Sequence, residues 1–426
     1  MVQGKKLELL LHAEDGSFPF LSEHLLKTYF NPKDEVIRNH LVLGIAVKDT
    51  CVVPSYKPKE RKNPKRKRLS TEEDKTPTPQ QNSSNLPGTK PNGYTFDSET
   101  IEKQTRLLSG YRTFALPTFD LVDDAAALFL KNCRKKNGEK QNTEEVVSPK
   151  ALSASSTNDK LSLNTPNGMQ HITPALYVQV VHKLQCPSML VLHDQTHPEE
   201  RKKRKNSCKE RSKDWLNICL NTLGELEKRK LAVWAPLPCF DSEVSLKDSL
   251  EFLSKKQDQF EGIFIPGWHH IKTEEDRIKL TKECKQAFKS ETKFGISSAS
   301  TLDQILEAAK SGISTIGTAA PMGWAREFKA VAWSDLDSSE SIFSKSSKLL
   351  DKNGCMDMSD EVYFRDASPI LEGCNCLACK DNTFTRSYIH HLIKAKELLA
   401  EILIFAHNLH QILRLFQKLS DESALE

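Results

Sequence analysis

The chain has 426 residues, 38% apolar and 28% charged, enough to bury one large or two ordinary domains. Its net charge of +4 is the small remainder of 61 basic and 57 acidic side chains, so the mean says little and the clustering says more. No run approaches the roughly eighteen apolar residues of a membrane span, Met1 to Lys6 leads into too short an apolar patch for a signal peptide, and the 11 cysteines, mostly isolated, fit a reducing compartment. A soluble, intracellular protein is expected.

Residues 1–53 hold two β-like runs, 7–12 and 40–47, around Phe18-Pro19-Phe20-Leu21. Residues 54–92 collapse into Pro, Lys, Arg, Ser, Thr, Gln and Asn, a composition that cannot offset its ordering entropy, and read as a disordered basic insert. Basic residues concentrate at 57–68 and 201–213. In the first cluster, Lys65-Arg66-Lys67-Arg68 has the form of a nuclear import signal or nucleic-acid patch, and equally that of a solvated charge run. Residues 93–131 regain pattern, and 132–165 form a second polar, low-complexity insert.

From 166 to 335 the texture is regular. Thr173-Pro174 opens a helix ending near Leu184, in the cap-then-proline manner. Short apolar runs at 188–193, 231–236, 262–265, 293–297 and 313–316 alternate with helical patterns, the last of these capped by Ser300 and stopped at Gly312. Five such strands separated by helices imply a parallel α/β sheet, open and doubly wound or closed as an eight-fold barrel. No glycine-rich dinucleotide loop and no phosphate-binding P-loop follows any strand, which favours the barrel. Residues 336–360 form a polar loop.

The 361–419 segment carries the strongest chemical signal. Cys374-x-Cys376-x-x-Cys379 places three thiols within six residues, just before a long apolar-patterned run, 386–419, read as one amphipathic helix carrying His407. Cysteine and histidine suit a borderline-soft d¹⁰ ion, so this is the makings of a four-ligand zinc site, against the plain alternative of small buried thiols. His410, one turn beyond His407, is the other candidate ligand on the helix. His390 and His391 are better read as outer or surface residues.

Cys374-x-Cys376-x-x-Cys379, then Thr385-Arg386-Ser387-Tyr388-Ile389-His390-His391-Leu392, then His407-Asn408, resembles the zinc-binding end of the tRNA-guanine transglycosylases. The chain departs from that pattern by two extra residues between Lys380 and Thr385. The resemblance implies a (β/α)8 TIM-type barrel with a C-terminal zinc-binding subdomain, and Cys374, Cys376, Cys379 and His407 as ligands of one structural zinc ion. It extends to Leu10 through Leu21, to 173–194, to 211–220 and to 295–312, and skips the two inserts.

In catalytic members of that family an aspartate in a G-[IV]-D-M-F-D run attacks the ribose, and a second aspartate serves as acid and base. Here the matching run is Gly312-Ile313-Ser314-Thr315-Ile316-Gly317, which puts Gly317 at the nucleophile position. The S-G-G turn of the second aspartate has no counterpart between His40 and Val122, and Ile265-Pro266-Gly267-Trp268-His269-His270 replaces the base-binding G-G-L-A-V-G-E. Only Asp194 matches a base-reading aspartate. The resemblance therefore implies no catalytic residue in this chain and a pseudo-enzyme. It would be the non-catalytic half of a heterodimer whose catalytic queuine tRNA-ribosyltransferase subunit replaces the wobble guanine of GUN-anticodon tRNAs (Asp, Asn, His, Tyr) with queuine.

Arg201-Lys202-Lys203-Arg204-Lys205, following a strand on the carboxyl-end rim, is a candidate phosphate contact for tRNA, or simply a solvated loop. Two other readings stand beside this one: an active transglycosylase using Asp194 with Glu261 or Asp303, and a zinc-stabilised nucleic-acid binder without a transglycosylase partner. The resemblance also implies a cytoplasmic location, with peripheral association at the mitochondrial outer membrane.

Overall fold

The computed structural model describes residues 6–12, 22–46, 51–52, 95–96, 105, 108, 110–117, 156–165, 168–196, 200–226, 231–238, 242–333 and 350–423. The insert expected at 54–92, with Lys65-Arg66-Lys67-Arg68, lies outside the described residues, as do Phe18 to Leu21 and most of the segments 132–165 and 336–360.

In chain order, β1 (Glu8–His12) leads through α1 (Glu23–Tyr29) and α2 (Glu35–His40) into β2 (Leu41–Ala46). A short antiparallel pair, β3 (Cys51–Val52) and β4 (Thr95–Phe96), precedes β5 (Arg112–Leu116). A hairpin of β6 (Leu161–Thr165) and β7 (Gly168–Ile172) precedes α3 (Pro174–Leu184). Strand and helix then alternate: β8 (Ser188–Leu190), α4 (Lys202–Glu225), β9 (Ala232–Pro236), α5 (Glu243–Ser254), β10 (Gly262–Ile265) and α6 (Glu274–Ala287). They continue as β11 (Lys293–Ile296), α7 (Leu302–Lys310), β12 (Thr315–Thr318) and α8 (Ala320–Arg326). The chain ends in an antiparallel pair, β13 (Lys329–Val331) with β14 (Cys355–Asp357), followed by α9 (Arg386–Lys394) and α10 (Leu399–Ser423).

Strands β1, β2, β5, β8, β9, β10, β11 and β12 pair in parallel in that order, and β12 pairs with β1, so the sheet closes on itself. The fold is the expected eight-stranded α/β barrel. Strand alternation sorts the side chains between two cores. Leu10, Val42, Phe114, Leu116, Leu190, Trp234 and Phe264 fill the interior, while their neighbours Leu9, Leu11, Leu43 and Ile263 face the helices. Three aromatic rings dominate the filling, Phe114 lying 5.6 Å from Trp234 and 6.0 Å from Phe264. Two strand glycines make room for them: a Cβ at Gly262 would come within 2.7 Å of the Trp234 ring, and one at Gly295 within 2.8 Å of Phe264. The barrel is thus a packed core and not a pore.

Several local expectations shift. Thr301, not Ser300, caps α7: its hydroxyl accepts from Gln304 N at 3.3 Å, while Gln304 Oε1 reaches back to Ser300 N at 2.9 Å. The run 313–316 is not itself the strand. Ile313 lies in the turn that closes α7, where its N–H reaches the Ala308 carbonyl, and β12 proper spans Thr315–Thr318. β6 falls within the last residues of the stretch expected as the second insert, with Leu161 and Leu163 buried at alternate positions.

The largest change concerns 386–419, which is two helices. Lys396 takes a left-handed φ of +59, its N–H bonds the Ile393 carbonyl and the Glu397 N–H bonds that of Leu392. This is the paired carbonyl satisfaction of a Schellman stop, made here with lysine where glycine is usual. α10 then packs on α8, α2 and β1, and Ser420 Oγ accepts from the Leu7 N–H at 3.0 Å, tying the helix to the start of the barrel. Among the described residues no helix is long and apolar enough to cross a membrane.

Candidate metal centre and barrel mouth

Cys374, Cys376, Cys379 and His407 converge, all buried, with their ligand atoms within 4.8 Å of one another. His407 Nδ1 lies 3.7 Å from the sulfur of Cys374 and 3.3 Å from those of Cys376 and Cys379. A tetrahedral zinc with bonds of about 2.3 Å to sulfur and about 2.0 Å to nitrogen has sulfur–nitrogen edges of about 3.5 Å. The donor set and its dimensions therefore suit a zinc ion, and four protein ligands leave no corner for a catalytic water.

The loop that carries the cysteines is built locally. Gly373 enters with φ +72, a conformation costly to residues with a Cβ, and the Lys380 N–H closes a turn on the Cys376 carbonyl at 3.0 Å. The Thr-Arg pair then anchors the loop to α9. Thr385 caps the helix through its hydroxyl to Tyr388 N. Arg386 donates to Asp366 Oδ2 and to the Ile370 carbonyl, both at 3.0 Å, and the N–H groups of Arg386 and Ser387 bond the carbonyls of Ser368 and Asp366. Between the cysteines and α9 the chain makes a short 3-10 turn, Lys380–Asn382, where Asp381 and Asn382 take left-handed φ. The longer loop expected between Lys380 and Thr385 leaves the four candidate ligand atoms together.

His407 is oriented from behind. Its Nε2–H donates to the Val331 carbonyl at 2.7 Å, which leaves the Nδ1 lone pair for a metal. The adjacent Asn408 acts as a surrogate strand: its Oδ1 accepts from Val331 N at 2.9 Å and its Nδ2 donates to the Lys329 carbonyl at 3.0 Å. One dipeptide thus binds the edge of β13 and points a ligand at the cysteines. His410, the other candidate, is not in the cluster, and His390 turns its Nδ1 to the Met358 carbonyl at 3.1 Å. His391 is exposed.

At the carboxyl end of the barrel, Gly317 lies in β12 opposite Leu10 of β1 and offers no side chain. Asp194 follows β8, buried, and is fully engaged. It forms an ion pair with Arg211, a second with Arg204 at 3.4 Å, and accepts from Cys208 Sγ at 3.0 Å, while Ser212 holds its backbone. Sequence reasoning missed Arg211 as its partner. The available signal was a charged residue between Cys208 and Trp215 on the buried face of α4. Glu261 precedes β10 at the opposite end of the barrel, where it pairs with Lys293, and Asp303 sits on the first turn of α7, exposed. The acids of the relocated-site reading are therefore not brought together.

Trp268 is buried, donating to Thr281 Oγ1 at 3.3 Å with Arg277 over its ring, and the rings of His269 and His270 lie 4.0 Å apart, tilted by 39°. This group is packing beside a cavity of about 450 Å³ that Asp194, Leu237, Gly267 and Leu280 help to line. Arg201 to Lys205 are not a loop: Arg201 is the N-cap and the others form the first turn of α4. Cations there oppose the helix dipole, so the sequence is not one that helix stability would select.

A packed eight-stranded barrel with an appended Cys3His cluster held by its last helix defines a metal-subdomain α/β barrel. The family model described as queuine tRNA-ribosyltransferase matches residues 139–422, and the chain belongs to that family. Among curated proteins it is similar to queuine tRNA-ribosyltransferase accessory subunit 2 of Culex quinquefasciatus, 26% identical over 59% of this chain and 58% of the relative. Proteins of the same name from Drosophila mojavensis, 26% identical over 63% of this chain and 64% of the relative, and from Anopheles gambiae, 25% identical over 61% and 60%, are also similar. The chain spans about three-fifths of the length of these relatives.

Proposed function

We propose that this chain is the non-catalytic subunit of a heterodimeric queuine tRNA-ribosyltransferase. The partner subunit carries the exchange of guanine for queuine at the wobble position of GUN-anticodon tRNAs, and this chain supports tRNA docking. The observation that carries the reading is Gly317: a covalent ribosyl intermediate needs a carboxylate at that strand end, and a glycine supplies none. Asp194 reinforces it, because a carboxylate already neutralised by Arg211 and Arg204 has little left to offer a base. The names of the curated relatives agree with an accessory role.

In this reading the Cys3His cluster holds one structural zinc ion. The ion contributes cross-linking between the cysteine loop and α10, and no step of the exchange passes through it. The apolar side chains left exposed around α9, namely Val362, Phe364, Tyr388 and Leu398, are the candidates for a partner surface in this reading.

The test is guanine-to-queuine exchange measured with this chain, with the catalytic subunit, and with both. Exchange is expected only when the catalytic subunit is present, and to rise when both are. Exchange by this chain alone would overturn the proposal. The basic first turn of α4 gives a second expectation for tRNA. Replacing Arg201, Lys202 and Lys203 by glutamine is expected to flatten the dependence of tRNA affinity on salt, by about one unit of log–log slope for each phosphate that the turn neutralises. An unchanged slope would remove this turn from the tRNA-binding surface. Arg204 is left intact in that variant because it also pairs with Asp194.

A further inference from the structure

One buried amide next to the metal cluster is not explained by the fold. Gln411 lies on α10 one turn beyond His407, is fully buried, and is followed by the buried residues Ile412, Leu413, Leu415 and Phe416. Its Nε2 donates to Cys374 Sγ at 3.2 Å, and its Oε1 is buried with no hydrogen-bond partner. An orphaned buried carbonyl costs on the order of 1–3 kcal/mol, which an apolar side chain of the same length would avoid. The amide must therefore gain something at the sulfur. A metal-bound thiolate only accepts hydrogen bonds, and the end of the amide facing Cys374 is the end that donates. Three thiolates and a neutral imidazole around a dication leave one net negative charge in a buried place, and a charge-assisted N–H···S bond spreads it.

We propose that Gln411 is a positioning residue for the metal centre, holding Cys374 in the coordination shell and slowing its release from the ion. The inference rests on the reading of the cluster as a zinc site. It accounts for a polar residue at a position where packing alone asks for leucine or methionine. Its effect falls within the range of outer partners of metal ligands, whose loss costs about 10–100-fold in metal affinity.

The test uses the full chain loaded with Zn²⁺ and, separately, with Co²⁺. Gln411→Met, similar in length and without a donor, is expected to lose zinc to a chromophoric chelator about 10–100-fold faster than the parent chain. The sulfur-to-cobalt charge-transfer band is expected to move to lower energy, because a thiolate without its donor is the more easily oxidised. A role in packing alone would leave that band in place. Should the variant not fold, the parent chain loaded with ¹¹³Cd serves: a through-bond coupling between cadmium and the Gln411 side-chain amide proton is expected, and its absence overturns the inference. Unchanged chelator kinetics with an unchanged cobalt band overturn it while leaving the zinc reading intact. A parent chain that retains neither Zn²⁺ nor Co²⁺ overturns both.

Discussion

His407→Ala is expected to abolish stoichiometric zinc binding, whereas His410→Ala retains it. The contrast follows from geometry: His407 Nδ1 stands 3.3–3.7 Å from all three sulfurs, and His410 is outside the cluster. Metal binding by a structural site is folding free energy, on the order of 10 kcal/mol in small zinc peptides. The substitution also removes the bond from Nε2 to the Val331 carbonyl, so β13 loses one of its ties to α10. The barrel has its own core, and the expected result is loss of metal with early melting of the cysteine loop and α9, followed by the barrel at a lower temperature than in the parent. Metal analysis and two-probe thermal melts read both parts. Full zinc retention by His407→Ala would exclude it as the fourth ligand.

The second large effect is expected at Arg211. Its guanidinium and the Asp194 carboxylate are 8% and 1% exposed, so Arg211→Met leaves a carboxylate buried with Arg204 as its remaining ion-pair partner, beside the Cys208 thiol and the Gln195 N–H. Removing one partner of a buried pair costs about 3–5 kcal/mol, and the remaining Arg204 keeps the expected loss near the lower figure. Adding Asp194→Asn to Arg211→Met is expected to recover part of the loss, because the stranded charge disappears with it. Urea unfolding of the two single variants and the double variant gives the coupling. Losses that simply add would show that the two side chains do not act as a pair. The same experiment measures how firmly the ion pair ties Asp194, just after β8, to α4.

The barrel is legible where strands are short, apolar and bounded by caps. Thr173-Pro174 predicts a helix that starts at Pro174 with Thr173 as its cap, and the apolar run 262–265 coincides with β10 to the residue. β5 is not legible, because Arg112 and Thr113 dilute its apolar pattern; its inward arginine pairs with Glu8 at the amino end of the barrel. The break at Lys396 leaves no mark either, since no glycine or proline announces it and the apolar spacing runs on through both helices. At the metal cluster, the cysteine spacing shows the loop, but the choice between His407 and His410 rests on a resemblance until the fold sets one of them against the sulfurs.

Composition and spacing by themselves determined the alternation of strand and helix and the three-cysteine loop, while the resemblance to a family gave the closed barrel and the place of Gly317. These are local facts, written in neighbouring residues and in the periods of strand and helix. Tertiary structure alone decided that Asp194 is spent on Arg211, that Asn408 completes the edge of β13, and that Gln411 meets Cys374. Each of those pairs joins groups well separated in the chain, and the burial that gives each contact its energy exists only once the barrel has closed and α10 has folded across it.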